Sequence, residues 1–166
     1  MTDYTPTLAG FQAFLQNFVG IPLTALPLNS AVTPVAFQIA LDLVNSAILY
    51  SGFPLEYQLA VYNLATSNVI NYAPDITNVY YPSPPADPDG TGNNLGYFSY
   101  LRWSFDINDF VGGVINSSSD NGTSESLSVP DSLANLSLAD LQYLKDPYGR
   151  RYLAFAQKFG AAWGLS

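Results

Sequence analysis

The stretch 53–72, FPLEYQLAVYNLATSNVINY, constrains the fold most, because it carries only one charged residue in twenty positions. At 3.6 residues per turn, its apolar residues fall on one broad face and its polar residues form a narrow stripe. Such a helix is expected at the centre of a bundle or against a neighbouring subunit. The apolar face comprises Leu55, Leu59, Tyr62, Ala65, Val69 and Tyr72, and the polar stripe comprises Glu56, Asn63, Ser67 and Asn71.

Two shorter amphipathic helices are predicted before this central helix. Threonine–proline pairs at 5–6 and 33–34 are typical of an N-cap followed by proline at the first helical position. The first helix is expected to end at Gly20, and the second to span 35–49. Short connections predict antiparallel packing of neighbouring helices. The predicted buried faces are Leu8, Phe11, Leu15 and Phe18 in the first helix, and Phe37, Leu41, Val44 and Ile48 in the second.

Residues 73–96 are predicted to form a long loop rich in proline and glycine. Within it, DPDGTGN at 87–93 has the oxygen-ligand spacing that begins an EF-hand calcium loop. Phe98 stands where the bidentate glutamate of such a loop belongs, so we favour a turn and predict no metal site. Tyr80 and Tyr81 are predicted to be exposed aromatic residues that contact another subunit.

A fourth helix and a β-hairpin are predicted after the loop. Asn93 or Asn94 is suited to cap a helix that ends at Phe105, while alternating apolar residues leave a strand as the alternative. Segments 110–116 and 125–129 are predicted strands, joined across the turn signal DNG. Because an isolated two-stranded hairpin is marginally stable, its edges are expected to pair with the next subunit. The hairpin residues assigned to that contact are Val114, Ile115, Leu127 and Val129.

The C-terminal part, 137–166, differs in charge from the rest of the chain. It has a net charge of +2, whereas residues 1–136 contain eleven acidic residues and one basic residue, a net charge of −10. Short helices are predicted at 137–145 and 147–159, and their aromatic area exceeds what they bury themselves. A basic, aromatic end on an acidic body predicts a docking surface; the alternative is that it folds onto its own core. The residues assigned to docking are Arg150, Arg151, Tyr152, Phe155, Lys158 and Trp163.

Composition excludes several classes of function. The 166-residue chain contains no cysteine and no histidine, so it lacks the commonest metal ligands and the commonest general base. A formal charge of −8 argues against a protein that binds nucleic acid by neutralising phosphates. Charged residues make up 11% of the chain, against roughly 25% in ordinary globular proteins. Tyrosine-rich, charge-poor surfaces are typical of protein–protein interfaces.

No enzymatic site, cofactor or membrane segment is predicted. The carboxylate pairs Asp106 with Asp109 and Asp87 with Asp89 are better explained as helix-end or solvated groups than as a glycosidase pair. Polar residues interrupt the apolar runs, and the N-terminus lacks the basic region of a secretory signal.

The predicted fold class is mainly α: a small helical bundle with a protruding β-hairpin, a long Pro/Gly loop and a helical, aromatic C-terminal tail. We divide the chain into an N-terminal arm, a helical domain and a docking tail. The boundaries are 1–6 for the arm, 7–136 for the helical domain with its loop at 73–96 and hairpin at 110–130, and 137–166 for the tail.

Besides this order of elements, three segments carry a resemblance to a known family: LAVYNLATSNVINYAPD, VGGVINSSSDNGTSESLSVPD and LADLQYLKDPYGRRYLAFAQKFGAAWG. In these respects the chain resembles the head–tail connector (adaptor) proteins of tailed bacteriophages. The resemblance implies a virion structural protein at the head–tail interface, made in the cytoplasm of the host bacterium. It implies a homo-oligomeric ring, by family a dodecamer, that binds the portal protein and tail or neck proteins. DNA would pass through the lumen without specific binding, and the basic tail would dock on the portal.

Two other classes stay open from the sequence. A tail-completion, decoration or fibre-attachment protein of a virion would share the tyrosine-rich, charge-poor surface without needing a basic tail. A small acidic hydrolase would require a pocket that holds paired carboxylates.

Overall fold

The computed structural model describes residues 3–46, 52–81, 95–109, 117–120, 123–126 and 142–159. This part of the chain is mainly helical, which confirms the predicted fold class at that level. Its α-helices are α1 (Leu8–Phe14), α2 (Val32–Leu43), α3 (Pro54–Tyr72), α4 (Tyr97–Ser104) and α5 (Pro147–Phe159).

Helix α3 is the centre of the fold, as its sequence predicts. Helices α2 and α5 both pack along it, and its middle turns are buried on every side. The two ends of the predicted apolar face are not covered within the subunit: Leu55 is exposed, and Tyr72 is 69% exposed. The cause is that α2 and α5 cover the middle of α3, including the polar residues Asn63 and Ser67, and leave both of its ends uncovered.

The first helix ends at the predicted residue, but one side chain that was predicted to be buried, Phe18, is exposed. The Thr7 hydroxyl accepts a hydrogen bond from the Gly10 amide and caps the helix, two residues after the predicted cap at Thr5. The helix continues as a π-helical turn, Leu15–Val19, and ends at Gly20, whose φ of 80° is left-handed. A π turn holds more residues than an α turn, so later positions leave the 3.6-residue register. Phe18, predicted to be buried, is therefore 81% exposed.

Helix α2 begins at Val32, three residues before the predicted start. Ala31 occupies the cap position without a side-chain hydrogen bond, and Thr33 is buried within the first turn instead of capping the helix. The predicted burial of Phe37 and Val44 is confirmed. The ring of Phe37 stacks on that of Phe11 with centroids 5.8 Å apart, which joins α2 to α1.

The fourth predicted element is a helix and not a strand. Asp75, just after α3, caps α4 across the chain: its Oδ1 accepts hydrogen bonds from the amides of Phe98 (2.6 Å) and Ser99 (3.2 Å). A Cβ at Gly96 would collide with the Asp75 side chain, so only glycine allows this approach. The Arg102 guanidinium then donates to the carbonyls of Ile70 and Ala73 at the end of α3. The cap thus comes from tertiary packing and not from the predicted Asn93 or Asn94.

Two short antiparallel strands, β1 (Ser117–Asp120) and β2 (Thr123–Ser126), pair from Ser117 with Ser126 to Asp120 with Thr123. They lie closer to the DNG turn signal than predicted: β1 and the first half of β2 fall in the segment expected to be the polar tip, and Glu125 and Ser126 belong to the predicted second strand. The predicted strand 110–116, the end of the other strand at 127–129 and the calcium-like segment 87–93 lie outside the described residues. The same holds for the assigned contact residues Val114, Ile115, Leu127 and Val129.

Candidate docking surfaces

Helix α5 is fastened to α3 by the buried carboxylate of Asp146. Its Oδ2 accepts hydrogen bonds from the Ser67 hydroxyl (2.6 Å) and the Asn71 amide (2.9 Å). Its Oδ1 accepts from the backbone amides of Tyr148 and Gly149 (2.9 Å each) and so caps the first turn of α5. Helix α5 therefore packs on the polar stripe of α3.

The C-terminal part, over its described residues 142–159, packs on the body of the protein. Tyr152 is only 6% exposed, and Leu153 beside it is also buried. The Tyr152 ring meets that of Tyr143 edge to face at 5.3 Å. Tyr152, which was assigned to docking from the sequence, therefore belongs to the core. The reason is that α5 is amphipathic and packs its one broad apolar side against α3.

The other assigned docking residues have different surroundings. Arg150 and Arg151 are exposed, and within the described part of the chain neither has a carboxylate at ion-pair distance. The Arg151 guanidinium lies 5.4 Å from the centre of the Tyr148 ring, and burial raises the pKa of that phenol. Lys158 instead pairs with Glu56 at 2.5 Å and fastens the end of α5 to the start of α3. Phe155 is half-buried, and Trp163 lies outside the described residues.

A groove is formed by α3, α5 and the C-terminal end of the first helix. Two of these docking residues, Arg151 and Phe155, line it. Its buried floor includes Asn63, which is 4% exposed and whose Nδ2 donates to the Leu59 carbonyl at 2.7 Å. Within the part of the chain that the structure describes, Asn63 Oδ1 has no hydrogen-bond partner, which costs about 1–3 kcal/mol when the atom is buried. We call this the α5 groove; its lining is Phe14, Phe18, Leu59, Asn63, Tyr148, Arg151, Ala154 and Phe155.

A second apolar surface lies on the outer side of α2. Val35, Ile39 and Leu43 are exposed at four-residue spacing, and Tyr72 at the end of α3 continues the patch. Asp42 lies on the same exposed side of α2 and accepts a hydrogen bond from Gln38 at 2.8 Å. We call this the α2 ridge; it consists of Val35, Ile39, Leu43 and Tyr72, with Asp42 at its side.

Tyr80 and Tyr81, the tyrosines assigned to inter-subunit contacts, differ in how much of each ring is free to contact another subunit. Tyr81 stacks on Tyr100 at 4.4 Å and approaches Tyr97 at 5.3 Å, so much of its ring is used inside the subunit. Tyr80 is exposed, although its backbone pairs with Gly96 in an isolated bridge. Tyr97 is buried and donates to the Gly20 carbonyl at 3.2 Å, and this burial raises its pKa to about 12.

Sequence reasoning missed the α2 ridge and the aromatic rim of the α5 groove. The signal for the ridge was present: α2 carries apolar residues at 35, 39 and 43 in addition to those of its buried face. Phe18 carried no such signal, because its exposure depends on the π turn that ends α1.

Within the described ranges, no group of three or more acidic side chains is placed to hold a metal ion. The helices of that part include none with the length and apolarity needed to cross a membrane. Comparisons of the chain with protein-family models, with curated proteins and with solved structures found no match.

Proposed function

We propose that this chain is a structural subunit of the neck of a tailed bacteriophage: a head–tail connector that forms a homo-oligomeric ring between portal and tail. The observation that carries the proposal is the exposure of large apolar side chains on two separate surfaces, the α5 groove and the α2 ridge. Phe18, Val35 and Tyr72 lie uncovered on a chain with few charges. Exposed apolar patches of this kind mark protein–protein contacts.

The charge of the chain suits a ring through which DNA passes. With a formal charge of −8, the subunit repels the phosphate backbone, so the duplex moves through the lumen without being held. The ring therefore acts as a passage and not as a DNA-binding protein.

The contact with the portal or a neighbouring ring is proposed on the exposed side of α5. Arg150 and Arg151 supply cations that have no carboxylate at ion-pair distance among the described residues, and Phe155 supplies an aromatic anchor; these residue types dominate binding energy at interfaces. Tyr152 takes no part because it is core, and Lys158 acts within the subunit through Glu56.

Native mass spectrometry of the purified protein, alone and mixed with the portal protein, tests the proposal. A closed multimer, or a monomer that forms a ring only on the portal, supports a connector. A monomer or dimer that ignores the portal contradicts it and favours a tail-completion, decoration or fibre-attachment protein.

A matched pair of variants tests the docking side. The double substitution Arg150→Gln with Arg151→Gln is expected to abolish portal binding while the subunit stays folded. The control, Asn29→Asp with Asn108→Asp, changes the net charge equally at exposed positions away from α5 and is expected to bind like wild type. Equal binding by both double variants would show that this side of α5 does not dock. Deletion of α5 is unsuitable, because it would also remove the buried Tyr152 and Leu153.

A further inference from the structure

The α5 groove and the α2 ridge lie on opposite faces of the central helix. Leu59 and Asn63 of α3 line the groove, whereas Asn68 and Tyr72 lie beside the ridge. Leu59 and Asn68 are nine positions apart, which is about two and a half turns at 3.6 residues per turn. A subunit with contact surfaces on opposite sides has the geometry for head-to-tail association.

The two surfaces have opposite charge. Arg151 stands at the rim of the groove without a carboxylate at ion-pair distance in the described part. Asp42 stands beside the ridge, and its described partner is the neutral amide of Gln38. Complementary charges of this kind fix the orientation of two partners and speed their encounter.

Each surface also has a buried polar atom that has no hydrogen-bond partner among the described residues, and the two atoms are of opposite hydrogen-bonding type. The groove has an acceptor, Asn63 Oδ1, and the ridge side has a donor, Asn68 Nδ2. Buried polar atoms in native proteins nearly always have a partner, so each of these atoms marks a place where a further hydrogen bond, to water or to a second copy, can form.

We infer, on the premise of the proposed ring, that the α5 groove of one subunit receives the α2 ridge of a second copy of this chain. The apolar side chains of the ridge lie against Phe18 and Phe155, and Asp42 approaches Arg151. A groove-to-groove or ridge-to-ridge dimer would bring like charges together, which is unfavourable. A contact between two different surfaces repeats from copy to copy and closes into a ring when the rotation allows it.

This arrangement narrows the portal contact proposed above: of its three α5 residues, only Arg150 remains for the portal. Arg151 and Phe155 face the neighbouring copy, because both line the groove. Arg150 precedes Arg151 by one position, which places it about 100° around the helix, outside the groove lining and on the side left for the portal.

Cross-linking of single-cysteine variants tests the pairing, since the chain has no cysteine of its own. Ala154→Cys marks the groove and Ala31→Cys marks the end of the ridge; both alanines are exposed. A mixture of these two variants, treated with a short bismaleimide, is expected to give a covalent dimer. Either variant alone, or mixed with the control Ala9→Cys on the exposed side of α1, is expected to give much less.

Equal yields from all mixtures, or a larger yield from Ala154→Cys alone, would overturn the pairing. The experiment is run with and without the portal protein, and absence of the mixed dimer under both conditions also overturns it. The mixed dimer without any portal binding would support the pairing and contradict the connector function. Portal binding without the mixed dimer would support the function and contradict the pairing.

A charge exchange tests the orientation. Arg151→Glu or Asp42→Arg alone, added to the cysteine pair, is expected to lower the yield of mixed dimer. Mixing a groove-marked Arg151→Glu subunit with a ridge-marked Asp42→Arg subunit is expected to restore it. Failure of the combination to restore the yield would show that Arg151 and Asp42 do not approach each other.

Discussion

Asp146 joins α5 to α3 through its two oxygens, which accept hydrogen bonds from Ser67, Asn71 and two backbone amides. Both carboxylate oxygens of Asp146 accept hydrogen bonds in the native protein. In Asp146→Asn, an NH₂ group replaces one of these oxygens, so the donors that faced that oxygen lose their acceptor. Leaving buried donors unpaired costs about 1–3 kcal/mol each, so we expect a loss of about 2 kcal/mol or more in the free energy of unfolding.

Urea denaturation followed by circular dichroism measures this loss. The same substitution at the exposed Asp106, Asp106→Asn, is the control and is expected to change stability little, since asparagine also accepts the positive φ of 57° at that position. Equal stabilities of Asp146→Asn and wild type would mean that this carboxylate does not hold α5.

Tyr97 makes the fold sensitive to alkaline pH. Burial raises its pKa from 10.0 to about 12, so between these values the unfolded chain has lost the proton that the folded chain keeps. The free energy of unfolding is then expected to fall as pH rises above about 10, by up to about 1.4 kcal/mol per pH unit.

Urea denaturation at about pH 9 and about pH 11 checks this prediction, because 1.4 kcal/mol per pH unit is readily measured. Tyr97→Phe loses the hydrogen bond to Gly20 but should show a smaller fall between the two pH values. Some fall is expected to remain, since burial also raises the pKa of Tyr57 and Tyr148. An unchanged fall in the variant would contradict the role of Tyr97.

At the scale of elements, Gly149 allows α5 to approach the 3₁₀ turn Tyr143–Lys145. A Cβ at this position would collide with the Tyr143 carbonyl, which is backbone and cannot move aside. Gly149→Ala is therefore expected to lower the free energy of unfolding by about 1–3 kcal/mol, despite the higher helix propensity of alanine.

Gly52→Ala is the control for Gly149→Ala. Apart from its chain neighbours, no atom of the described residues lies within 4 Å of its added Cβ, so it is expected to be neutral or to stabilise by up to about 1 kcal/mol. Thermal unfolding of the two variants gives the comparison. A Gly149→Ala protein as stable as the control would show that the close approach is unimportant.

The element boundaries show which sequence signals are reliable. Helix α5 starts at the predicted position 147 and the first helix ends at Gly20 as predicted, because Pro147 and Gly20 act through their own backbone preferences. The start of α2 and the cap of α4 were predicted wrongly. At α4 a residue distant in sequence, Asp75, replaces the local cap, and at α2 the predicted cap residue Thr33 is buried within the first turn instead.

For the whole molecule, we expect self-association that depends on both the groove and the ridge. Phe18→Glu in the groove and Val35→Glu on the ridge change exposed positions, so each variant is expected to fold and to remain monomeric. Each still has one intact surface, so an equal mixture is expected to form dimers and nothing larger. Leu28→Glu, at an exposed position in neither surface, is expected to assemble like wild type.

Analytical ultracentrifugation, with the portal protein present if the wild type needs it, distinguishes these states. Higher salt is expected to weaken the wild-type assembly, because exposed charges are screened at about 10 Å in 0.1 M salt. If both variants assemble normally, neither surface carries the contact. If the mixture stays monomeric, the contact is not between two different surfaces.

The helices α1, α3 and α5, the burial of the middle of α3 and the acidic body with its basic end follow from local patterns of residues. Periodicity, proline and glycine act over a few positions, so they can be interpreted without knowing what packs where. The partner of each helix face could not be predicted in this way. Ser67 donates a hydrogen bond to Asp146, 79 positions along the chain, and because of this contact the polar stripe of α3 is buried against α5. The same packing of α2 and α5 on α3 leaves Phe18, Val35 and Tyr72 uncovered, because a face is exposed or buried only in relation to distant segments.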